Sequence, residues 1–144
     1  MARTYAQLAA VVFLIVGVGG FFTGDAGHVV NGQAGGNFDG VALHLTYGRD
    51  ILDLGLAAAF AYAGFFARED RAWLPVLDAG SLLILLAVVG FLNADDAAGT
   101  RSIATMHFPL ATNVFDLITG VVSVLAGLGD LGEEPQPAAP VRPR

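Results

Sequence analysis

Four long apolar stretches alternate with short polar segments along the chain. The first contains no charged residue, the third contains only Asp78, and the second and fourth include Asp53 and Asp116, respectively. A transmembrane helix needs about 20 predominantly apolar residues, and about 17–25 are tolerated. The first and third stretches meet that length directly, and the other two meet it if their helices begin upstream of the aspartates. The pattern therefore predicts an all-α protein, a four-helix transmembrane bundle with spans over about residues 5–22, 45–66, 74–92 and 109–129.

Part of this pattern occurs twice. Residues 44–54 and 107–117 both read His, five residues, Asp or Asn, two apolar residues, then Asp-Leu. Each copy follows an apolar stretch that ends in Gly-Phe, at residues 20–21 and 90–91. Each half then consists of a helix, an outer loop and a returning helix, and halves of this kind are related by an axis along the membrane normal. The sequence therefore predicts two parallel helical-hairpin repeats.

Composition agrees with a membrane environment. The chain has 144 residues, of which 55% are hydrophobic and 14% charged, and its mean hydropathy is +0.64. Soluble domains carry about 25% charged residues. Four spans leave no room for a soluble domain, so we expect one transmembrane domain over residues 1–130 and a disordered Pro-rich cytoplasmic tail over 131–144. The absence of cysteine excludes disulfides and thiolate metal sites.

The distribution of arginine predicts the orientation, because the chain contains no lysine. With the N-terminus inside, the cytoplasmic segments carry Arg3, Arg68, Arg71, Arg142 and Arg144, and only two arginines (positions 49 and 101) fall outside. Positively charged residues of short loops stay in the cytoplasm. Both termini are therefore predicted to be cytoplasmic, in a plasma (inner) membrane. The use of arginine without lysine, in an Ala- and Gly-rich composition, suggests a bacterium of high GC content. The net charge of −6 is spread over both faces and says little about partners, but the anionic tail and the acidic outer loops argue against nucleic acid.

Asp53 and Asp116 form the first candidate site. An axis along the membrane normal would bring them to one level, and an acidic side chain in an apolar zone usually marks a site. Facing each other, they would share a proton or hold a cation. The favoured interpretation is local, however, because Asp50 and Asn113 precede them by three residues, as in capping boxes. Arg49, four residues before Asp53, is also in reach of an ion pair on one helix face.

His44 and His107 form the second candidate site. Two histidines at one level on two helices of a bundle could ligate haem or a transition metal. Both are expected near the outer surface, and the sequence identifies no acid that would hydrogen-bond their second ring nitrogen. Interfacial histidines bonded to backbone or water explain the pair equally well. The sequence therefore predicts no bound cofactor, with haem or metal binding as an alternative.

Small residues are expected to pack the helices together. Gly55, Ala59 and Ala63 follow one another at four-residue spacing, and Ser123 and Gly127 repeat that spacing in the fourth stretch. Small residues let neighbouring helix backbones approach closely in membranes. Packing within the bundle is favoured over a homodimer face. No nucleophile elbow, Walker loop, HExxH motif or Ser-His-Asp order is present, so no catalytic residue is assigned and an enzyme is not predicted.

The chain resembles an uncharacterised family of actinobacterial four-helix integral membrane proteins of unknown function. The resemblance covers roughly residues 5–129 and rests on the Gly-Phe helix ends (18–21 and 89–91) and on the helix starts at 50–54 and 113–120. Members of that family carry Asn, two apolar residues and His-Leu at these starts, whereas this chain has aspartate at the histidine position. The resemblance implies a four-helix membrane fold and carries no activity.

These observations predict a non-enzymatic membrane protein, either an accessory subunit or a small scaffold. Its expected partners are the lipid bilayer and either a larger membrane complex or further copies of the chain. Proton or cation binding and translocation through Asp53 and Asp116 is the first alternative. Haem or metal binding through His44 and His107 is the second.

Overall fold

Four long helices make up most of the fold. The computed structural model describes residues 1–23, 29–30, 33–34, 46–93, 102–103 and 106–131. The chain is all-α, and its long helices are α1 (Ala2–Thr23), α2 (Tyr47–Ala61), α3 (Trp73–Asn93) and α4 (Leu110–Leu131). A π-helical turn, Tyr62–Phe66, extends α2, and a 3₁₀ turn, Glu69–Arg71, leads into α3. The predicted tail over 131–144 lies outside the described residues except for its first residue.

A short antiparallel strand pair lies in each segment that joins two helices of a hairpin. In the first segment β1 (Val29–Val30) pairs with β2 (Gln33–Ala34), and in the second β3 (Ser102–Ile103) pairs with β4 (Met106–His107). In both pairs two residues separate the strands. The two connections therefore share a local structure as well as a place in the chain.

The helices pack as two hairpins, α1 against α2 and α3 against α4. Glycine permits the closest approach, as between Gly80 of α3 and Gly120 of α4. A Cβ added to Gly80 would lie 2.9 Å from the Gly120 carbonyl oxygen, and one added to Gly120 would lie 2.8 Å from the Gly80 carbonyl oxygen. The two backbones are thus in contact with no side chain between them, which is the packing that small residues allow.

The interior consists mainly of small side chains, and large apolar side chains face outwards. Among the buried apolar residues of the described chain are ten alanines, including Ala6, Ala10, Ala57, Ala79 and Ala87. The larger buried residues are few, and two of them, Phe13 and Phe60, stack with ring centroids 5.6 Å apart. Exposed large apolar residues occur on all four helices, for example Leu8, Ile15, Phe22, Ile51, Leu85, Leu92, Ile118 and Leu125.

Within the described residues, three helical segments are long and apolar enough to cross a membrane: Ala2–Phe22, Glu69–Asn93 and Leu110–Asp130. The segment around α2 is not among them, whereas the sequence pattern predicts four spans; the α-helix there has 15 residues. Its first two turns contain Arg49, Asp50 and Asp53, so its sequence is the most polar of the four. All three of these charged side chains are buried in the bundle.

Burial follows the same sequence of positions in the two hairpins. Buried residues of α1 have buried counterparts in α3 at one fixed difference in residue number. Ala6 and Val76 are one such pair, and Gly20 and Gly90 are another. Buried residues of α2 and α4 correspond in the same way, including the pair Asp53 and Asp116.

The chain start, the turn between α2 and α3, and the end of α4 share one end of the bundle. The Met1 ammonium group lies 2.7 Å from Asp130 Oδ1, and Arg3 Nε donates to the Gly64 carbonyl oxygen at 3.1 Å. Arg3 also reaches Glu69 of the turn, at 3.2 Å. We call this the Met1 end. α2 and α4 begin at the opposite end, which we call the Thr46 end.

Candidate functional site

α2 begins one turn before the position that its acidic residues suggest. Thr46 is the N-cap residue, with extended backbone, and its hydroxyl accepts a hydrogen bond from the Arg49 backbone N–H at 3.4 Å. Asp50 therefore lies inside the helix, and the predicted capping box is wrong. Asn113 likewise lies inside α4, which begins at Leu110. An earlier start is possible because threonine is itself a good N-cap.

Arg49 is the centre of a buried charge cluster. Its guanidinium donates two hydrogen bonds to Asp116, from Nη1 to Oδ2 at 2.7 Å and from Nη2 to Oδ1 at 2.5 Å. Its Nε donates to Asp53 Oδ1 at 3.1 Å. None of the three side chains is more than 2% exposed. The fork-shaped pairing with Asp116 is the strongest geometry available to arginine and carboxylate.

The cluster joins the two hairpins. Arg49 and Asp53 belong to α2, whereas Asp116 belongs to α4. Asp53 and Asp116 each lie six residues after the start of their helix, about 9 Å along its axis. Breaking a buried ion pair by removing one partner leaves a charge without compensation and is strongly destabilising. The guanidinium therefore fixes both the distance and the register between the hairpins.

The charges of the cluster do not balance. One guanidinium faces two carboxylates, so one negative charge is left over when both are ionised. Within the described part of the chain, Asp53 Oδ2 has no hydrogen-bond partner, although the residue is only 1% exposed. Thr112 Oγ1 likewise lacks a described partner, and this residue is 4% exposed. Polar atoms buried in this way are uncommon and call for an explanation.

Asp50 and Asn113 pack against glycines at corresponding positions. The Asp50 carboxylate contacts Gly20 so closely that a Cβ there would overlap it, and the Asn113 side chain contacts Gly90 in the same way. Asn113 Nδ2 also donates to the Phe108 carbonyl oxygen at 3.0 Å. The two residues singled out as possible caps thus fill equivalent places between the two helices of their hairpins.

The structure brings together Asp53 and Asp116, and it adds Arg49 as their shared partner. The spacing of Arg49 and Asp53 predicts their ion pair, which is present. Sequence reasoning missed the bond to Asp116, and it counted Arg49 among the arginines of the outer side, whereas the residue is buried within α2. One signal was available: the position that corresponds to Arg49 in the second hairpin is Thr112, so Asp116 has no basic residue of its own.

The predicted small-residue stripe is divided between the inside and the outside. Ala63 is fully buried, but Gly55 is exposed, and a methyl group added there would meet no atom within 4 Å. Steps of four residues rotate by about 40° around a helix, so the stripe leaves the interface. Ser123 and Gly127 do face the bundle interior, where a Cβ on Gly127 would lie 3.2 Å from the Trp73 carbonyl oxygen.

Two grooves run between the hairpins at corresponding positions. The α1–α4 groove has a volume of about 320 Å³, and its lining includes Leu8, Val12, Phe115, Ile118, Thr119 and Val122. The α2–α3 groove has a volume of about 600 Å³, and its lining includes Asp78, Leu82, Leu52, Gly55, Leu56 and Ala59. Gly55 stands where the first groove has Ile118, and Asp78 stands where it has Leu8. Smaller side chains therefore account for the larger volume.

The histidine hypothesis falls largely outside the described residues. His44 is not among them, and of His107 only the backbone is described, in β4. Within the described residues no three His, Cys, Asp or Glu side chains are grouped as a metal site would require.

Comparison with known proteins adds no relative. No family model, no curated protein and no solved structure matches the chain. The fold and the site define an all-α protein with three helices able to cross a membrane and an Arg49–Asp53–Asp116 cluster in its interior. Any functional assignment rests on that geometry.

Proposed function

We propose that the chain is an integral membrane protein of the bacterial inner membrane, a four-helix bundle of two parallel hairpin repeats. Large apolar side chains outside and alanines inside support this proposal. In lipid, helices associate through small residues, whereas exposed apolar surface of this extent is unusual for a soluble monomer. The matched burial of the hairpins and the two glycine contacts, Gly20 with Asp50 and Gly90 with Asn113, support the repeat. Membership of the uncharacterised four-helix family is part of the same proposal.

The orientation proposed has the Met1 end in the cytoplasm. Arg3, Arg68 and Arg71 lie at that end, and positive residues of short loops stay inside. Because the chain lacks cysteine, single cysteines report topology without background. Asp70→Cys, in the turn of the Met1 end, should react with an impermeant maleimide only after the cells are permeabilised. Asp96→Cys, in the predicted second outer loop, should react on intact cells, and the reverse pattern would overturn the orientation.

We infer that the protein is a non-enzymatic accessory subunit that binds a transmembrane helix of a different protein. The observation that carries this inference is the difference between the two grooves. Leu8, Ile118 and Val122 narrow the α1–α4 groove, whereas Gly55 and Ala59 leave the α2–α3 groove open. Because these small residues line the α2–α3 groove, the backbone of a partner helix can approach it closely.

Asp78 indicates the chemistry of that helix. It lies five residues into α3, about 7.5 Å along the axis, and no cationic group of the described residues pairs with it. An unpaired carboxylate at that depth is costly in a bilayer. A lysine or arginine of the partner helix at the same depth would compensate the charge. A second copy is a poorer occupant, because a symmetric contact brings the same patch, and hence another Asp78, to the interface.

Purification from the native membrane in mild detergent tests the inference. The wild-type protein should carry one stoichiometric membrane partner whose sequence has a basic residue near the cytoplasmic end of a span. Gly55→Leu, which fills the groove, and Asp78→Asn should each lose that partner. Val122→Leu in the other groove is the matched control and should retain it. Retention by all variants would overturn the groove as the docking site, and a pure homo-oligomer would overturn the accessory role.

A further inference from the structure

The Arg49–Asp53–Asp116 cluster resembles a symmetric site from which one member is missing. Each hairpin supplies an aspartate, but within the described residues only the first supplies an arginine to the cluster. The corresponding residue of the second hairpin, Thr112, lies one turn before Asp116 and therefore on the same face of α4. Two carboxylates and two arginines would balance, whereas two carboxylates and one arginine leave a negative charge.

One buried carboxylate oxygen of the cluster lacks the hydrogen bond that a second arginine would supply. Arg49 serves both oxygens of Asp116 but only Oδ1 of Asp53, so Oδ2 of Asp53 is without a described partner. On α4, Thr112 Oγ1 and Asn113 Oδ1 are in the same condition, and Asn113 Oδ1 packs against Gly90. The charged groups that face Asp53 in the described structure are Arg49 on its own helix and Asp116 on α4. A buried anionic oxygen on α2 and a buried hydroxyl oxygen on α4, one turn before the partner carboxylate of Arg49, thus both lack a described hydrogen-bond partner.

We propose that Asp53, together with the Thr112 hydroxyl, binds a single positive charge from solution, an alkali cation or a proton. Hard oxygen ligands suit such ions. One positive charge makes the cluster neutral, whereas a divalent ion would leave it with a net positive charge. The bound charge takes the role that the arginine at the position of Thr112 would have. The cluster is then a monovalent cation site as well as a clamp between the hairpins.

Thermal unfolding of the purified full-length protein in detergent tests this proposal. The probes are sodium, potassium and choline chlorides at matched ionic strength, and a separate series at decreasing pH. A ligand that binds only the folded state raises Tm, here by about 3–6 °C if its concentration is roughly ten times Kd. If the ligand is an alkali cation, sodium or potassium raises Tm above its value in choline. If it is a proton, the salts are equivalent, Tm rises as pH falls, and an infrared band of a protonated carboxyl is present.

Variants distinguish binding at this site from general effects of salt and acid on Tm. Asp53→Asn removes the surplus charge, so the response of Tm and any protonated-carboxyl band should be lost while the folded state is kept by the neutral pair of Arg49 and Asp116. Thr112→Val should weaken the response to the alkali cation. Ser81→Ala, which removes an exposed hydroxyl that bonds only to its own helix, should respond as the wild type does. A response of Asp53→Asn equal to that of the wild type would overturn the proposal, as would a wild type that responds to neither ion nor acid.

Thr112→Arg provides a converse test. The substitution supplies the arginine that the second hairpin lacks, so the fixed charge should replace the bound one and make Tm independent of the cation and of acid. Continued dependence in a folded Thr112→Arg variant would contradict the proposal. These outcomes are independent of any partner protein, because all the measurements use the purified chain.

Discussion

The guanidinium of Arg49, near the start of α2, forms hydrogen bonds to both carboxylate oxygens of Asp116 on α4. This pairing crosses from one hairpin to the other and is almost completely buried. Desolvating the charges costs several kcal/mol per ion, and good geometry only offsets that cost. The pairing therefore contributes specificity: it selects one register of the two hairpins among the many that apolar surfaces alone would allow.

Arg49→Ala should destabilise the protein by about 3–5 kcal/mol, because two buried carboxylates lose their counter-charge. Arg49→Lys should fall between this variant and the wild type, since an ammonium group cannot bond to both Asp116 oxygens in the same fork. The measurement is chemical unfolding in detergent, followed by circular dichroism. Arg68→Ala is the control, because its pair with Asp70 is exposed and worth about 0–1 kcal/mol. Equal losses in the alanine variants would contradict a clamping role for Arg49.

Replacement by asparagine should lower the stability of the protein by different amounts at the two aspartates. Asp116→Asn replaces the acceptor of both guanidinium bonds, and we expect a loss of about 2–4 kcal/mol from charge-assisted bonds of this kind. Asp53→Asn should cost about 1 kcal/mol or less, because it removes one bond and also the surplus charge. Unfolding of the two variants under identical conditions measures the difference. If Asp53→Asn is the more damaging change, the assignment of Asp116 as the principal partner is wrong.

The helices could be predicted from sequence because hydropathy and helix length report directly on burial along each segment. The correspondence between Asp53 and Asp116 was also accessible, since the repeated phrase aligns them. The partnership of Arg49 and Asp116 was not predicted, because hydropathy does not determine how helices rotate against each other. The capping-box interpretation of Asp50 was wrong, because Asp50 and Asp53 have the spacing of a capping box although both are buried inside α2.

The packing of individual small residues was the other part that sequence left undetermined. Gly55 and Gly80 are both glycines of apolar helices, yet Gly55 faces outwards and Gly80 touches the backbone of α4. Composition cannot separate them, since glycine serves both close approach and plain exposure. Whether a glycine lies at a helix contact or on the outer surface depends on the neighbouring helix, which is known only from the assembled bundle.

Gly80→Ala should destabilise the α3–α4 hairpin by about 1–3 kcal/mol, the range for overpacking a tight interface. A Cβ at that position would lie 2.6 Å from Ser123 Cβ and 2.9 Å from the Gly120 carbonyl oxygen, and backbone atoms cannot move aside cheaply. Gly19→Ala is the matched control, because nothing lies within 4 Å of a Cβ there. This change should stabilise α1 by about 0.5–1 kcal/mol through the lower flexibility of alanine. Unfolding midpoints of the two variants should shift in opposite directions, and a tolerated Gly80→Ala would show that the helices are not in backbone contact.

Tyr5→Phe should lower the free energy of unfolding by about 1 kcal/mol, the usual net value of a hydrogen bond. The Tyr5 hydroxyl on α1 lies 2.8 Å from Ser123 Oγ and 3.1 Å from the Thr119 carbonyl oxygen, so it bonds α1 to α4 in the half of the bundle nearer the Met1 end. Tyr62→Phe is the control, because Tyr62 is 58% exposed and its hydroxyl has no bond to another described residue. Ser123→Ala combined with Tyr5→Phe should cost less than the sum of the single changes, since both remove the same bond. Strictly additive losses in such a double-mutant cycle would mean that the two hydroxyls act independently and that α1 is held to α4 by apolar contacts such as Phe13 with Phe115.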